Sequence, residues 1–108
     1  MLEELKKHIP GFWKNYGHLF KEINAPVKTT LLLEGEVAKN LYFIVKGCLR
    51  LWFNNNGKDV TVQFFFENQA VSSIESFMNR CPSVFSIETL EPSTIYALSK
   101  KNFEILFI

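Results

Sequence analysis

Residues 31–69 read LLLEGEVAKNLYFIVKGCLRLWFNNNGKDVTVQFFFENQ, and the fold turns on how this stretch is divided. Short apolar runs rich in β-branched and aromatic residues alternate with breaks that carry Gly and Asn, the pattern of strands joined by tight turns. Thr29 to Leu33 is short and β-prone, and Glu34-Gly35-Glu36 turns the chain after it. Leu41 to Phe53 is a long apolar stretch, and Lys46-Gly47 divides it into two strands with a bend between them. Asn54-Asn55-Asn56-Gly57 is a hairpin signal, because Asn and Gly accept the positive φ that tight turns require. Beyond it Asp59 to Phe66 alternates, with Val60, Val62, Phe64 and Phe66 on one face and Thr61 and Gln63 on the other. That is the signature of a half-buried antiparallel strand.

Upstream the period changes. Across residues 1–24, Leu2, Leu5, Ile9, Phe12, Trp13, Leu19, Phe20 and Ile23 recur at steps of three and four, broken near Pro10-Gly11. Two short helices are predicted there, ending at Asn24-Ala25-Pro26, since the residue before proline leaves the helical region. Downstream, Ser72-x-x-Glu75 reads as a capping box opening a short helix with Ile74, Phe77 and Met78 on its apolar side, stopped by Pro82. Val84 to Leu90 and Thr94 to Leu98 are two further strands, joined by a turn at Glu91-Pro92-Ser93. Ser99 is a candidate N-cap for a last helix, whose apolar pattern Phe103, Ile105, Leu106, Phe107, Ile108 stops abruptly. The expectation is therefore a single domain over 1–108: a helical segment 1–24, a β-roll over 27–98, and at 99–108 the start of a helix that continues in a C-terminal part. The predicted fold class is mainly β, an antiparallel roll or jelly-roll barrel with helices outside it.

Bulk properties narrow the function. A chain of 108 residues, 47% hydrophobic and with eleven Phe, can bury one core. No apolar run approaches the roughly 18 residues of a membrane span, so no membrane partner is expected and the default compartment is the cytoplasm. Cys48 and Cys81 have no paired spacing and read as reduced thiols rather than a disulfide framework or cluster site. A net charge of +1 with interspersed signs lacks the basic footprint of a nucleic-acid surface. A metal-dependent enzyme on a similar roll would need several histidines in the barrel, and the two present, His8 and His18, both precede it. Nor does any Cys or Ser have a barrel His to activate it. No enzymatic activity and no cofactor are expected.

At residues 31–69 the order of E-G-E, L-Y-F-I-V-K-G, L-R-L and the N-G-K-D hairpin resembles the cyclic-nucleotide-binding domain, and more particularly the N-terminal sensor domain of Crp/Fnr-type bacterial transcription regulators. Gly35, Gly47 and Gly57 stand at that family's turn glycines, and the resemblance runs from about Val27 to Phe103. It implies a β-roll in which the inserted helix and the loop before it form a phosphate-binding cassette. In the family, a Gly-Glu pair before the helix supplies the ribose-binding Glu. An Arg-Ser or Arg-Thr pair after it supplies the Arg that neutralises the cyclic phosphate. Here those positions fall on Ser72-Ser73 and Ser83-Val84. The fold pattern is kept and the phosphate chemistry is not.

The resemblance thus implies an effector-sensing domain that does not respond to cAMP or cGMP. Its expected pocket rim is Val71, Ser72, Ser73, Ile74, Glu75, Ser83 and Val84. Its small-molecule effector is unidentified, its partner a second copy of itself, and DNA is reached only through a C-terminal domain outside this chain. The alternative is a free-standing module that binds a small molecule or a protein and never touches DNA. Simpler readings stand beside the functional ones: Ser72, Ser73 and Glu75 as an ordinary helix cap, Arg80 as a cation favoured at a helix C-terminus, Arg50 as a solvent-facing strand residue. Cys81-Pro82 matches a dipeptide of some haem-regulated sites but reads more simply as a loop thiol. Tyr42, Phe43, Trp52, Phe53, Phe64, Phe65 and Phe66 are expected to be mostly core.

Overall fold

The computed structural model describes residues 2–108. Two helices open the chain, α1 (Leu2–His8) and α2 (Phe12–Tyr16), followed by a single 3₁₀ turn at Gly17–Leu19. Strands β1 (Phe20–Ala25), β2 (Thr30–Leu32), β3 (Asn40–Lys46), β4 (Leu49–Asn55), β5 (Lys58–Phe65) and β6 (Ala70–Val71) come next. Helix α3 (Ile74–Asn79), strands β7 (Ser86–Thr89) and β8 (Ser93–Ser99), and helix α4 (Lys100–Phe107) complete the order. The strands form two antiparallel four-stranded sheets, ordered β1-β8-β3-β6 and β2-β7-β4-β5. This is the expected jelly-roll class.

The core lies between the sheets, where Tyr42, Ile44, Leu49, Ile87, Ile95 and Ala97 meet Phe77 of α3. The Tyr42 hydroxyl donates to the Leu31 carbonyl at 3.2 Å, and burial pushes its phenol above the ordinary range. A second cluster covers the outer face of the first sheet: Leu2, Phe12, Phe20, Phe43 and Leu98, with Trp13 edge-on to Tyr96 at 4.9 Å. Because both faces of that sheet are buried, β3 and β8 read as continuous apolar runs rather than as alternating ones.

Three sequence expectations are corrected here. The segment 1–24 is expected to be helical, with two short helices, yet its last residues belong to β1; Met1 lies outside the described residues. Phe20 and Ile23 are three apart, a spacing that suits a helix. Six successive pairings with β8, from Phe20 opposite Leu98 to Ala25 opposite Ser93, decide for a strand. The second correction concerns β5: Val60, Val62, Phe64 and Phe66 face solvent at 36–54% exposure. Leu49 points into the core and pairs with Phe65, and cross-strand partners share a face, so Phe65 goes inward. The register shifts between Leu51 and Trp52, and the resulting bulge upsets simple alternation. Third, Phe64 and Phe66 thereby leave the expected aromatic core, while Tyr42 and Phe43 are buried in it and Trp52, Phe53 and Phe65 are half-buried.

The glycine turns form as expected. Asn56 and Gly57 both have positive φ, 53° and 88°, and make the two-residue hairpin loop between β4 and β5. Gly47, at φ 117°, carries the chain from one sheet to the other, since β3 and β4 lie in different sheets. It crosses directly against Ser93: an added Cβ would lie 2.6 Å from the Ser93 Cβ and 2.8 Å from its Cα, with the hydroxyl closer still. At Gly57 an added Cβ meets nothing within 4 Å. Gly57→Ala is therefore expected to cost only the left-handed backbone strain, about 1–2 kcal/mol. Gly47→Ala adds a backbone clash and should cost about 3 kcal/mol or more. Urea denaturation of the two variants checks this, and equal losses would contradict the close crossing.

Candidate functional site

Strand β6 is only two residues long, and its pairing of Val71 with Tyr42 delivers the chain to the mouth of the roll. Val71 itself is buried in the core between the sheets. The next hydroxyl, Ser72 Oγ, donates to the Asn40 carbonyl at 2.8 Å on β3. The N-cap of α3 is thus Ser73, and neither serine side chain caps the helix. Glu75 becomes the second residue of the helix rather than the third. The expected capping box does not form, because a carbonyl across the sheet takes the hydroxyl that a local cap would have used.

Ser76 anchors the helix. Its hydroxyl accepts the Ala38 N–H at 2.8 Å and donates to the Cys81 carbonyl, and the residue is 1% exposed. Phe77 is equally buried and stands edge-on to Phe103 of α4 at 5.4 Å. Ile74 and Met78 were expected on the same buried side, but they are 59% and 43% exposed: a six-residue helix seated through Ser76 and Phe77 turns them outward. The helix ends at Asn79, where Arg80 takes the left-handed conformation, two residues ahead of Pro82.

A cavity of about 310 Å³ opens between this helix and the second sheet. Of the expected rim residues, Ser72, Ser73, Ile74, Glu75 and Val84 line it. Val71 does not, being part of the core, and neither does Ser83. Ser83 folds onto its own turn, its hydroxyl donating to the Phe85 carbonyl at 2.7 Å and accepting the Phe85 N–H at 3.0 Å. Its backbone is paired with Gly35 and Glu36. Sequence reasoning missed Leu51, Ser76, Cys81, Pro82 and Phe85 on the wall. The three-residue step from Ser73 to Ser76 was the available signal for Ser76. Leu51 and Phe85 become neighbours only through strand pairing.

The chemistry of the wall follows. Ser72 and Ser76 have spent their hydroxyls on backbone groups, whereas the Ser73 hydroxyl, on a residue 5% exposed, has no hydrogen-bond partner among the described residues. Glu75 is the one charged side chain on the wall; the rest of the lining is apolar or neutral. The Cys81 thiol lies 3.8 Å from the Glu75 carbonyl. His8 and His18 sit on α1 and the 3₁₀ turn, far along the chain from this helix. Arg50 lies elsewhere too, tied to Glu88 at 2.6 Å and stacked over the Trp52 ring at 4.6 Å. Among the described residues no group of three or more His, Cys, Asp or Glu could hold a metal ion. No helix among them is long and apolar enough to cross a membrane.

Comparison with known proteins agrees with this architecture. The solved structures that superpose on it include the catabolite activator protein of Thermus thermophilus, with TM-score 0.81 and 16% identity over 94% of this chain and 48% of that one. The sensor domain of the transcriptional regulator DNR from Pseudomonas aeruginosa gives TM-score 0.78 and 17% identity, covering 94% and 68%. The regulatory domain of Toxoplasma gondii PKA, solved with cAMP, gives 0.77 and 17%, covering 89% and 36%. At such identities the likeness is one of fold, and the chain spans about half the length of the Thermus protein. No curated protein sequence matches. The model of the cyclic nucleotide-binding domain matches residues 22–108, from within β1 through α4, and the chain belongs to that family.

Proposed function

We propose that this chain is the effector-sensing domain of a Crp/Fnr-type transcription regulator, and that its effector is neither cAMP nor cGMP. The observation that carries this reading is the cavity beside α3, whose wall bears one charge, the negative Glu75. A cyclic phosphate held there has no cation to meet it. Ser83, at the family's arginine position, is 3% exposed and commits its hydroxyl to Phe85. The effector fitting this wall is small and neutral or weakly polar, with an apolar body against Leu51, Val84 and Phe85 and a hydrogen-bonding group at Ser73 and Glu75. The role is regulatory rather than catalytic, since the wall offers hydroxyls and a thiol with no histidine beside them. In the same reading the domain works in the cytoplasm, DNA contact belongs to a C-terminal domain outside this chain, and the working unit is a homodimer.

Losing a desolvated charge-assisted contact costs roughly 2–5 kcal/mol, or about 30- to several-thousand-fold in affinity. Calorimetry with cAMP and cGMP should accordingly show no binding in the low micromolar range. A dissociation constant there would sink the proposal.

Dimerisation is supported by α4, whose Ile105 and Phe107 are 60% and 45% exposed, and by Ile108 just past it, 87% exposed. Phe103 and Leu106 face the other way and pack on the body of the domain. Light scattering on a size-exclusion column should show a dimer, and Ile105→Lys should shift it to monomer without loss of fold. A wild-type chain that stays monomeric at high concentration contradicts this part of the reading.

A further inference from the structure

At the C-terminal end of α3 a second cavity, about 320 Å³, lies between that helix, the loop leading into β3, and the start of α4. Its charged lining is wholly positive: Lys39 from the loop, Arg80 from the end of α3, Lys100 and Lys101 from the first turn of α4. Four of the chain's twelve Lys and Arg therefore converge here, in a molecule whose net charge is only +1. None of the four forms an ion pair among the described residues, where the pairs found involve Lys6 and Arg50. The nearest carboxylate along α4, Glu104, pairs with none of them either, although it follows Lys100 by four positions. Like charges held together without counter-ions repel, and an unpaired cluster in a concavity gains most from a mobile anion.

We propose that this cavity binds a small anion carrying more than one phosphate group. Four cations exceed the charge of a single phosphate, and a volume equivalent to about ten waters admits a second. Arg80 offers the planar fork that pairs with two phosphate oxygens, and Lys39 and Lys101 supply point charges from two other segments. The Lys100 ammonium lies across the Phe77 and Phe103 rings, 5.6 and 5.7 Å from their centroids, at the apolar floor. The positive end of α4 adds to the field: Ser99 Oγ caps the Asn102 N–H, the Lys100 N–H goes to the Lys39 carbonyl, and the Lys101 N–H has no acceptor within the helix. A concave site bounded by three chain segments favours a compact ligand over a duplex or a membrane, which would need a broad face. The site is independent of the effector cavity proposed above, so either can fail alone.

Inorganic pyrophosphate is the probe, titrated calorimetrically into the 108-residue chain at fixed ionic strength near physiological, with orthophosphate in parallel. Saturable one-to-one binding is expected, about tenfold or more tighter for pyrophosphate, and Arg80→Ala and Lys101→Ala should each weaken it about tenfold. Both residues are exposed, so the melting temperature without ligand should hardly move, and Lys21→Ala on β1 serves as the neutral control. The proposal is overturned by absent or unsaturable pyrophosphate binding, by equal affinity for orthophosphate, or by either cavity variant behaving like Lys21→Ala. Preferential binding to duplex DNA or to anionic vesicles overturns it as well.

Discussion

One buried hydroxyl holds the α3 end of this roll together. Ser76 accepts the Ala38 N–H and donates to the Cys81 carbonyl, so the loop before β3, helix α3 and the loop after it share one oxygen. The Ala38 N–H would otherwise be buried without a partner, at about 1–3 kcal/mol. A six-residue helix is too short to persist on its own propensity. It exists here because Ser76 and Phe77 fasten it to the roll, and both cavities are built on the segments so fastened.

How much of this was legible in the sequence depends on how local each determinant is. The hairpin at Asn56-Gly57 and the crossing at Gly47 were readable, because a backbone that needs positive φ announces itself in one or two residues. The family pattern was readable for the same reason, being a string of such turns at fixed spacing. The orientation of β5 was not: a bulge and the Leu49–Phe65 pairing decide it, and neither is written in the strand itself. Nor was β1, where helical spacing competed with six pairings to a strand some seventy residues away. The capping box failed likewise, since Asn40, distant in sequence, supplies the acceptor that captures Ser72.

The same distinction governs the sites. Five of the seven expected rim residues do line a cavity, because the family register places the loop and helix together. Ser83 is the instructive exception. Its position in the chain matches a ligand contact, but a serine there is long enough only to reach Phe85, and it closes a turn instead. A short side chain at an arginine position changes geometry as well as charge. The basic cavity had no sequence signature at all, since Lys39, Arg80 and Lys100-Lys101 are scattered over sixty residues and meet only in the fold.

The charge around α3 does not meet what the cyclic-nucleotide cassette requires, since the wall beside its N-terminal end carries no cation. Glu75 stands alone at the N-terminal end, beside a neutral, partly apolar wall, while Arg80 and three lysines crowd the C-terminal end. Helix α3 spans both ends in six residues, seated on the roll through Ser76 and Phe77. The edge-on contact of Phe77 with Phe103 joins it to α4. Helix α3 is thus the element that borders both cavities and touches α4, and its six residues hold that place because Ser76 ties the loops on either side of it.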